Sequence, residues 1–353
     1  LPVAASRLDA ATGKYLSGDA FVVQNWAAGL DANGRPIELV AARYGKEPYE
    51  QLPGPMGAHN WHPMAYNPDT KLAYIPAQEI PFMYAEDPRF HTKKTSWNTG
   101  ADFSAEVPPI VPPELIKIFR SMLKGRLIAW DPITRAPRWT VEHESPWNGG
   151  VLTTAGNLVF QGKLNGDFAA YNAATGEKLW SQNVKSGAAS GPATFSIDGE
   201  QYITITTGWG SLFALAAGYA YDETVPSTVG KVVTFKIGGT KLIADADFTP
   251  IDKTVKADAF GDEAMIAEGT VAYARNCSGC HSPFAIGSGV LPDLRWSYIT
   301  ANADIWKTVV IDGSLATNGM VSFAEYVTPR EAEAIRAYVL TQAHAAADTS
   351  EEK

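Results

Sequence analysis

Residues 129–139, Ala-Trp-Asp-Pro-Ile-Thr-Arg-Ala-Pro-Arg-Trp, recur as residues 170–180, Ala-Tyr-Asn-Ala-Ala-Thr-Gly-Glu-Lys-Leu-Trp. Trp130 aligns with Tyr171, Asp131 with Asn172, Thr134 with Thr175 and Trp139 with Trp180, all at one offset of 41. A third copy, Leu8-Asp9-Ala10-Ala11-Thr12-Gly13-Lys14, puts Thr12 122 residues before Thr134, close to three such periods. A strand-rich unit of about 40 residues with a turn and a closing Trp is the sequence mark of a propeller blade. The local pattern agrees. Gln201-Tyr202-Ile203-Thr204-Ile205-Thr206-Thr207 alternates apolar and polar, as a half-buried strand does.

At this period residues 1–216 hold about five blades, and the copy at Leu8 begins in mid-blade. Blades close a ring to hide their edges, so the region reads as part of a propeller. A proline-rich excursion over 79–113, with Trp97-Asn98-Thr99-Gly100, interrupts the period, and 114–123 reads as a short helix. The stretch 79–125 is expected to rim a pocket entrance or to be a packed flap. From 217 to 260 the repeat fades into a linker with strand character at Lys231 to Lys236, and 261–348 turns helical.

Of the 353 residues 45% are hydrophobic and 19% charged, enough for a core and unlike a disordered chain. A formal charge of −9 excludes a nucleic-acid partner, which would need clustered Lys and Arg. No apolar run reaches the roughly 20 residues of a membrane span. Leu1 to Arg7 has no basic or apolar leader segment, so an exported form would begin upstream of Leu1.

Both cysteines sit in Cys277-Ser278-Gly279-Cys280-His281. Cys-x-x-Cys-His reads as c-type haem attachment: two thiols on one helical turn form thioethers, and the adjacent imidazole meets the iron. A zinc site needs more ligands nearby, and a redox dithiol needs a βαβ context that the flanks lack. Glu263 to Asn276 reads as an amphipathic helix ahead of the motif. Met320, the only Met after it, lies in the loop Asn318-Gly319-Met320-Val321-Ser322-Phe323 and is the expected sixth ligand. Residues 329–345 form a closing helix with Thr328 as N-cap and Ile335, Tyr338 and Val339 on one side. Covalent haem implies a periplasmic protein.

A propeller joined to a C-terminal cytochrome resembles the type II quinohaemoprotein alcohol dehydrogenases. The resemblance is carried by Val23-Gln24-Asn25-Trp26-Ala27-Ala28-Gly29, Gly57-Ala58-His59-Asn60-Trp61-His62-Pro63-Met64, Tyr74-Ile75-Pro76-Ala77-Gln78, Ser145-Pro146-Trp147-Asn148-Gly149-Gly150 and Gly208-Trp209-Gly210. It implies an eight-bladed all-β propeller of the PQQ-dehydrogenase type, incomplete in this chain, followed by an all-α cytochrome c domain. It implies pyrroloquinoline quinone (PQQ), calcium and one haem c as cofactors. Asn60 and Trp61 match the family's pair that contacts PQQ, and Trp209 between glycines could approach a planar ring. Trp147 either lines the same cavity or closes a blade, and His59 and His62 are read as structural hydrogen-bonders. Cys277 and Cys280 match the thioether ligands, His281 and Met320 the axial ligands. The Pro292 carbonyl in Leu291-Pro292-Asp293-Leu294-Arg295 would accept from His281 Nδ1–H. Arg295 and Trp306 would meet haem propionates, or be ordinary surface and core.

The family's catalytic aspartate, vicinal disulfide, calcium carboxylates and cofactor-binding lysine belong to the first half of its propeller, and none of the matched stretches supplies them. No general base is assigned here. The expected activity is alcohol oxidation through PQQ, with electrons leaving through the haem to a periplasmic acceptor, a small cytochrome or copper protein. The expected partner for folding is the missing N-terminal propeller segment. The alternative is an electron-transfer or docking subunit in which only the haem is active.

Overall fold

The computed structural model describes residues 4–94, 98–105, 108–209, 213, 217–220, 230–245 and 251–348. Trp97 and Gly210 lie outside the described residues. β1 (Ala4–Leu8) and β2 (Tyr15–Ala20) form a hairpin. β3 (Ala27–Leu30) pairs with β4 (Pro36–Glu38), and β5 (Tyr49–Gln51) follows. β6 (Ala65–Asn67) and β7 (Leu72–Glu79) open a four-stranded sheet. The chain then leaves that sheet; within the insertion, β8 (Phe82–Tyr84) pairs with β5 and α1 (Pro113–Met122) follows. It returns as β9 (Lys124–Asp131) and β10 (Ala136–His143), giving the order β10-β9-β7-β6. β11 (Val151–Thr153), β12 (Leu158–Gly162), β13 (Asp167–Asn172) and β14 (Lys178–Asn183) make a meander, and β15 (Ala193–Ile197), β16 (Glu200–Thr207) and β17 (Lys231–Lys236) a three-stranded sheet.

Each sheet is buried against the next. Ala5 and Phe21 pack on Ile75, Ile128 and Trp130. Tyr74 and Leu127 pack on Val159 and Tyr171, and Phe168 and Val184 on Ile205 and Phe235. The sequence repeat is the code for this stacking. Asp9, Asp131 and Asn172 each accept two backbone N–H bonds through Oδ1, from Ala11 and Thr12, Ile133 and Thr134, and Ala174 and Thr175. The turn is completed by a left-handed residue, Gly13, Arg135 or Gly176. Trp130 and Tyr171 face the preceding sheet. Trp139 and Trp180 reach forward: Trp139 Nε1 donates to Ala173 O at 3.0 Å, and the Trp180 ring lies 5.2 Å from Phe235. A Cβ at Gly176 would stand 2.7 Å from the Trp139 ring.

Of the six sheets among the described residues, four stack in succession (the β1–β2 hairpin, β10-β9-β7-β6, the meander and β15-β16-β17), where about five blades were expected; β3–β4 and β5–β8 are two-stranded pairs beside them. The spacing of 122 misleads because the β1–β2 hairpin packs directly on the sheet that carries Asp131. The extra length is the segment 21–64 and the insertion between β7 and β9. Likewise β17, inside the stretch expected to be a linker, is an outer strand paired with β16 from Tyr202↔Lys236 to Thr207↔Lys231.

The helical part begins with α2 (Glu263–Asn276), whose N-cap Asp262 accepts from Met265 N. It runs into the short α3 (Ser278–His281). α4 (Ala303–Val310) is capped by Asn302. α5 (Pro329–Asp348) starts at a capping box in which Glu331 N donates to Thr328 Oγ1 and Thr328 N to Glu331 Oε2. α2 crosses α5 at Gly269, where a Cβ would collide with the Ala334 carbonyl. Ile335, Tyr338 and Val339 are buried in that contact. Among the described residues no helix is long and apolar enough to cross a membrane.

Candidate functional site

The sharp end of α2 builds the Cys motif. Cys277, at φ −116° and ψ −37°, joins α2 to α3, and Cys280 N and His281 N both donate back to Cys277 O, at 3.1 and 2.8 Å. The turn presents Cys277, Cys280 and His281 to a cavity of about 560 Å³ that Met320 also lines. That volume is in the range of cofactor sites, roughly 300–1,000 Å³. Met320 arrives on a turn closed by left-handed Gly319, with Met320 N donating to Leu315 O. Val309, Val310 and Phe323 supply an apolar lining.

The loop that follows His281 is fixed from several sides. Ser282, Phe284 and Ala285 all have positive φ, 65°, 65° and 61°. Such non-glycine conformations cost on the order of 1–3 kcal/mol each and persist where surroundings over-determine them. Here Tyr273 OH donates to Ser282 O at 2.7 Å, and Ser282 Oγ accepts from Gly218 N at 2.8 Å. His281 Nδ1 lies 3.4 Å from Pro292 O, an orientation that leaves Nε2 for a metal.

Burial pushes the Cys277 thiol up to about 12, with a smaller push from Cys280, and raises Cys280 as well. Reactive dithiols have depressed pKa values, so this pair lacks the electrostatics of a redox couple. Burial lowers the His281 pKa, which keeps the imidazole neutral and its nitrogen free to coordinate. A c-type haem fits this donor set: two neutral thiols on one turn, an oriented imidazole and a thioether around one cavity.

Two expected propionate partners are otherwise engaged. Arg295 is buried and holds Asp293 in a bidentate pair at 3.0 and 2.7 Å. Trp306 lines the cavity, but its indole N–H donates to Ala332 O at 2.7 Å, so it offers a ring face.

For the insertion between β7 and β9 the structure favours the second of the two expected readings, a packed flap. Asp87, Phe90, Lys93 and Phe103 line the same cavity as the Cys motif, so this stretch is a packed flap over it. Asp87 pairs with Arg275 at 2.7 Å, both side chains 11% exposed, and Lys94 N donates to Tyr326 OH. Farther along, Phe119 of α1 stacks on Phe284 at 5.7 Å, and Gln342 Nε2 donates to Pro109 O.

The other expected site residues converge on a second place. Trp147 and Trp209 are buried in one cluster with Phe213, and the Trp147 and Phe213 rings stack at 4.9 Å. Met56 packs on that cluster, and its carbonyl accepts from Asn60 Nδ2 and Gln78 Nε2. Trp61 stacks on His62 at 4.2 Å, and His62 meets Trp147 edge-on at 4.7 Å. Trp61 itself is 56% exposed, an open aromatic face. His62 Nε2 and Trp147 Nε1 are buried without a hydrogen-bond partner among the described residues. Buried orphan polar atoms of this kind ask for a ligand or water. A planar polar cofactor fits here, on one side, with Trp61 as a stacking face and Trp147 Nε1 as a donor. His59 is a structural hydrogen-bonder, Nδ1 lying 2.9 Å from Pro76 O, whereas His62 is held by ring contacts. Burial, then His59, pulls His62 down to about 4, too weak a base for proton abstraction near neutrality.

A propeller segment whose insertion closes a c-type haem cavity defines a quinohaemoprotein architecture, and comparison with known proteins agrees. Residues 36–203 match the family described as glucose/ethanol/alcohol dehydrogenase, beta-propeller domain, and residues 264–339 that described as cytochrome C oxidase, cbb3-type, subunit III. The chain belongs to the quinohaemoprotein alcohol dehydrogenase family. It is 38% identical over 345 residues to the quinohemoprotein alcohol dehydrogenase of Comamonas testosteroni, covering 94% of this chain and 46% of that protein. It is 40% identical over 347 residues to the dehydrogenase subunit of alcohol dehydrogenase (quinone) of Acetobacter aceti, covering 96% and 46%. The structure of quinohemoprotein alcohol dehydrogenase ADHIIG from Pseudomonas putida HK5 superposes with TM-score 0.86 at 35% identity, over 97% of this chain and 50% of that one. The chain thus spans about half the length of the relatives it matches.

Proposed function

We propose that this chain carries one side of the quinone pocket and the haem of a periplasmic PQQ-dependent alcohol dehydrogenase. The reading is supported above all by one cavity that gathers Cys277, Cys280, His281 and Met320 under a flap contributed by the sheet region. Bound PQQ would accept the electrons of the alcohol, and bound haem c would pass them on to an external acceptor. Cys277 and Cys280 would hold the haem by thioethers, and His281 and Met320 would ligate its iron. Trp61 would offer its ring to the quinone's face, and Trp147 Nε1 would donate to a quinone oxygen or carboxylate. Asn60, bonded to Met56 O and to its own neighbour's N–H, holds the Trp61 backbone in place. Trp209 packs behind Trp147 and excludes water from that side. Calcium and the general base belong in this reading to the remainder of the propeller. The acceptor would be a small cytochrome or copper protein.

The test is made on the natural full-length protein loaded with PQQ and calcium. Anaerobic addition of a primary alcohol should convert the oxidised haem spectrum to the reduced one. A haem that dithionite reduces and no alcohol reduces would leave only the electron-transfer subunit.

A further inference from the structure

We propose that Lys93, carried by the insertion of the sheet region, is the cation that raises the haem reduction potential from outside the cytochrome domain. The inference rests on the haem c reading above.

Lys93 lines the same cavity as Cys277, Cys280, His281 and Met320. Its Nζ lies 2.6 Å from Asn276 Oδ1 and 3.5 Å from Arg275 O, over the C-terminal turn of α2 and next to the first thioether position. A cation is favoured at that end of a helix. The ammonium also stands 5.6 Å from the Tyr326 ring centroid. Half-burial, then Arg275, pulls its pKa down, as a charge held at the edge of a low-dielectric pocket requires.

The surrounding charges do not cancel it. Arg275, the basic residue of α2's last turn, is neutralised by Asp87 at 2.7 Å. Arg89 adds a further positive charge near Lys93, and the His91 ring lies tilted to Tyr326 at 6.1 Å. Asp87 is therefore a single carboxylate among the cations Arg275, Arg89, Lys93 and Lys94, and Lys93 is the one held by Asn276 beside the Cys motif. Reduction adds one electron to the haem. An uncompensated cation half-buried at the rim of the cavity stabilises the reduced form and raises the potential.

The experiment is a spectroelectrochemical titration of the full-length protein, after a pyridine haemochrome assay has established c-type haem. Absence of that haem would refute the haem reading itself. With haem present, Lys93→Met should shift the midpoint potential down, Lys93→Arg should leave it near the parent value, and Asp87→Asn should shift it up by freeing the Arg275 charge. If Lys93 is only a latch, Lys93→Met and Asp87→Asn would both loosen the flap, let water reach the haem and lower the potential together. That result, or an unmoved potential in Lys93→Met, overturns the proposal.

Discussion

The sheet region and the cytochrome region hide apolar surface in opposite ways. Every sheet is covered by its neighbours, so burial depends on the stack continuing. Among the described residues it does not close: in the last sheet every residue of β15 is exposed, including Phe195 and Ile197. The cytochrome region instead sets α2, α3, α4 and a Met loop around a cavity, and fully buries Ile335, Val339 and Leu340 of α5. Its contents complete the core. One region thus needs more protein and the other needs a cofactor. The insertion between β7 and β9 ties them together through Asp87–Arg275, Phe119–Phe284 and Gln342–Pro109.

The largest separation of the two is expected from His281→Ala. Haem incorporation should be lost and the Soret band with it, while tryptophan fluorescence of the sheets keeps its urea midpoint. Parallel loss of both would mean that the sheets lean on the cytochrome. Acid comes next and should act on the sheets. Burial pulls His62 to about 4 from the ordinary 6.5. His143, beside Gln161 Oε1, is likewise pulled to about 4, chiefly by burial. The unfolded imidazoles take up protons near pH 6.5 and the folded ones only near 4. Sheet stability should therefore fall as pH drops through that window, by up to about 3 kcal/mol per histidine, and level off below it. His62→Phe, which keeps the ring between Trp61 and Trp147, should remove its share of that slope in urea melts at pH 7 and 4.5.

Gly176→Ala should cost the sheets about 2–4 kcal/mol, from its φ of +76° and the Trp139 ring above it. The Soret-detected transition should not move. The smallest effect runs the other way. Thr328→Ala breaks the capping box of α5 and should cost the cytochrome about 1 kcal/mol, leaving the fluorescence midpoint alone.

Legibility follows the range of the interactions. Glu263–Asn276, the Thr328 cap and the Cys motif were readable because each is built by residues within a few turns of one another. The repeat was readable because its Asx turns and forward-reaching Trp side chains are local devices used again. The sheet count was not, since segment 21–64 and the insertion add length without adding a blade-like sheet. A fourth Asx turn, Asn67 accepting from Asp69 N and Thr70 N, marks the true start of the second sheet. Where the insertion docks was not readable either: Lys93 and Asn276 meet across 183 positions, and no periodicity encodes such a contact. Arg295 was left between two readings, and its pairing through Nε and Nη2 with Asp293, only two residues away, favours the structural one.

The contrast itself is tested most directly by expressing the two regions apart. Residues 261–348, matured with haem, should sediment as a monomeric cytochrome with one cooperative transition. Residues 1–250 should oligomerise or aggregate, because the last sheet of the stack leaves apolar side chains such as Phe195 and Ile197 uncovered. A monodisperse, cooperatively unfolding monomer of residues 1–250 would contradict the account.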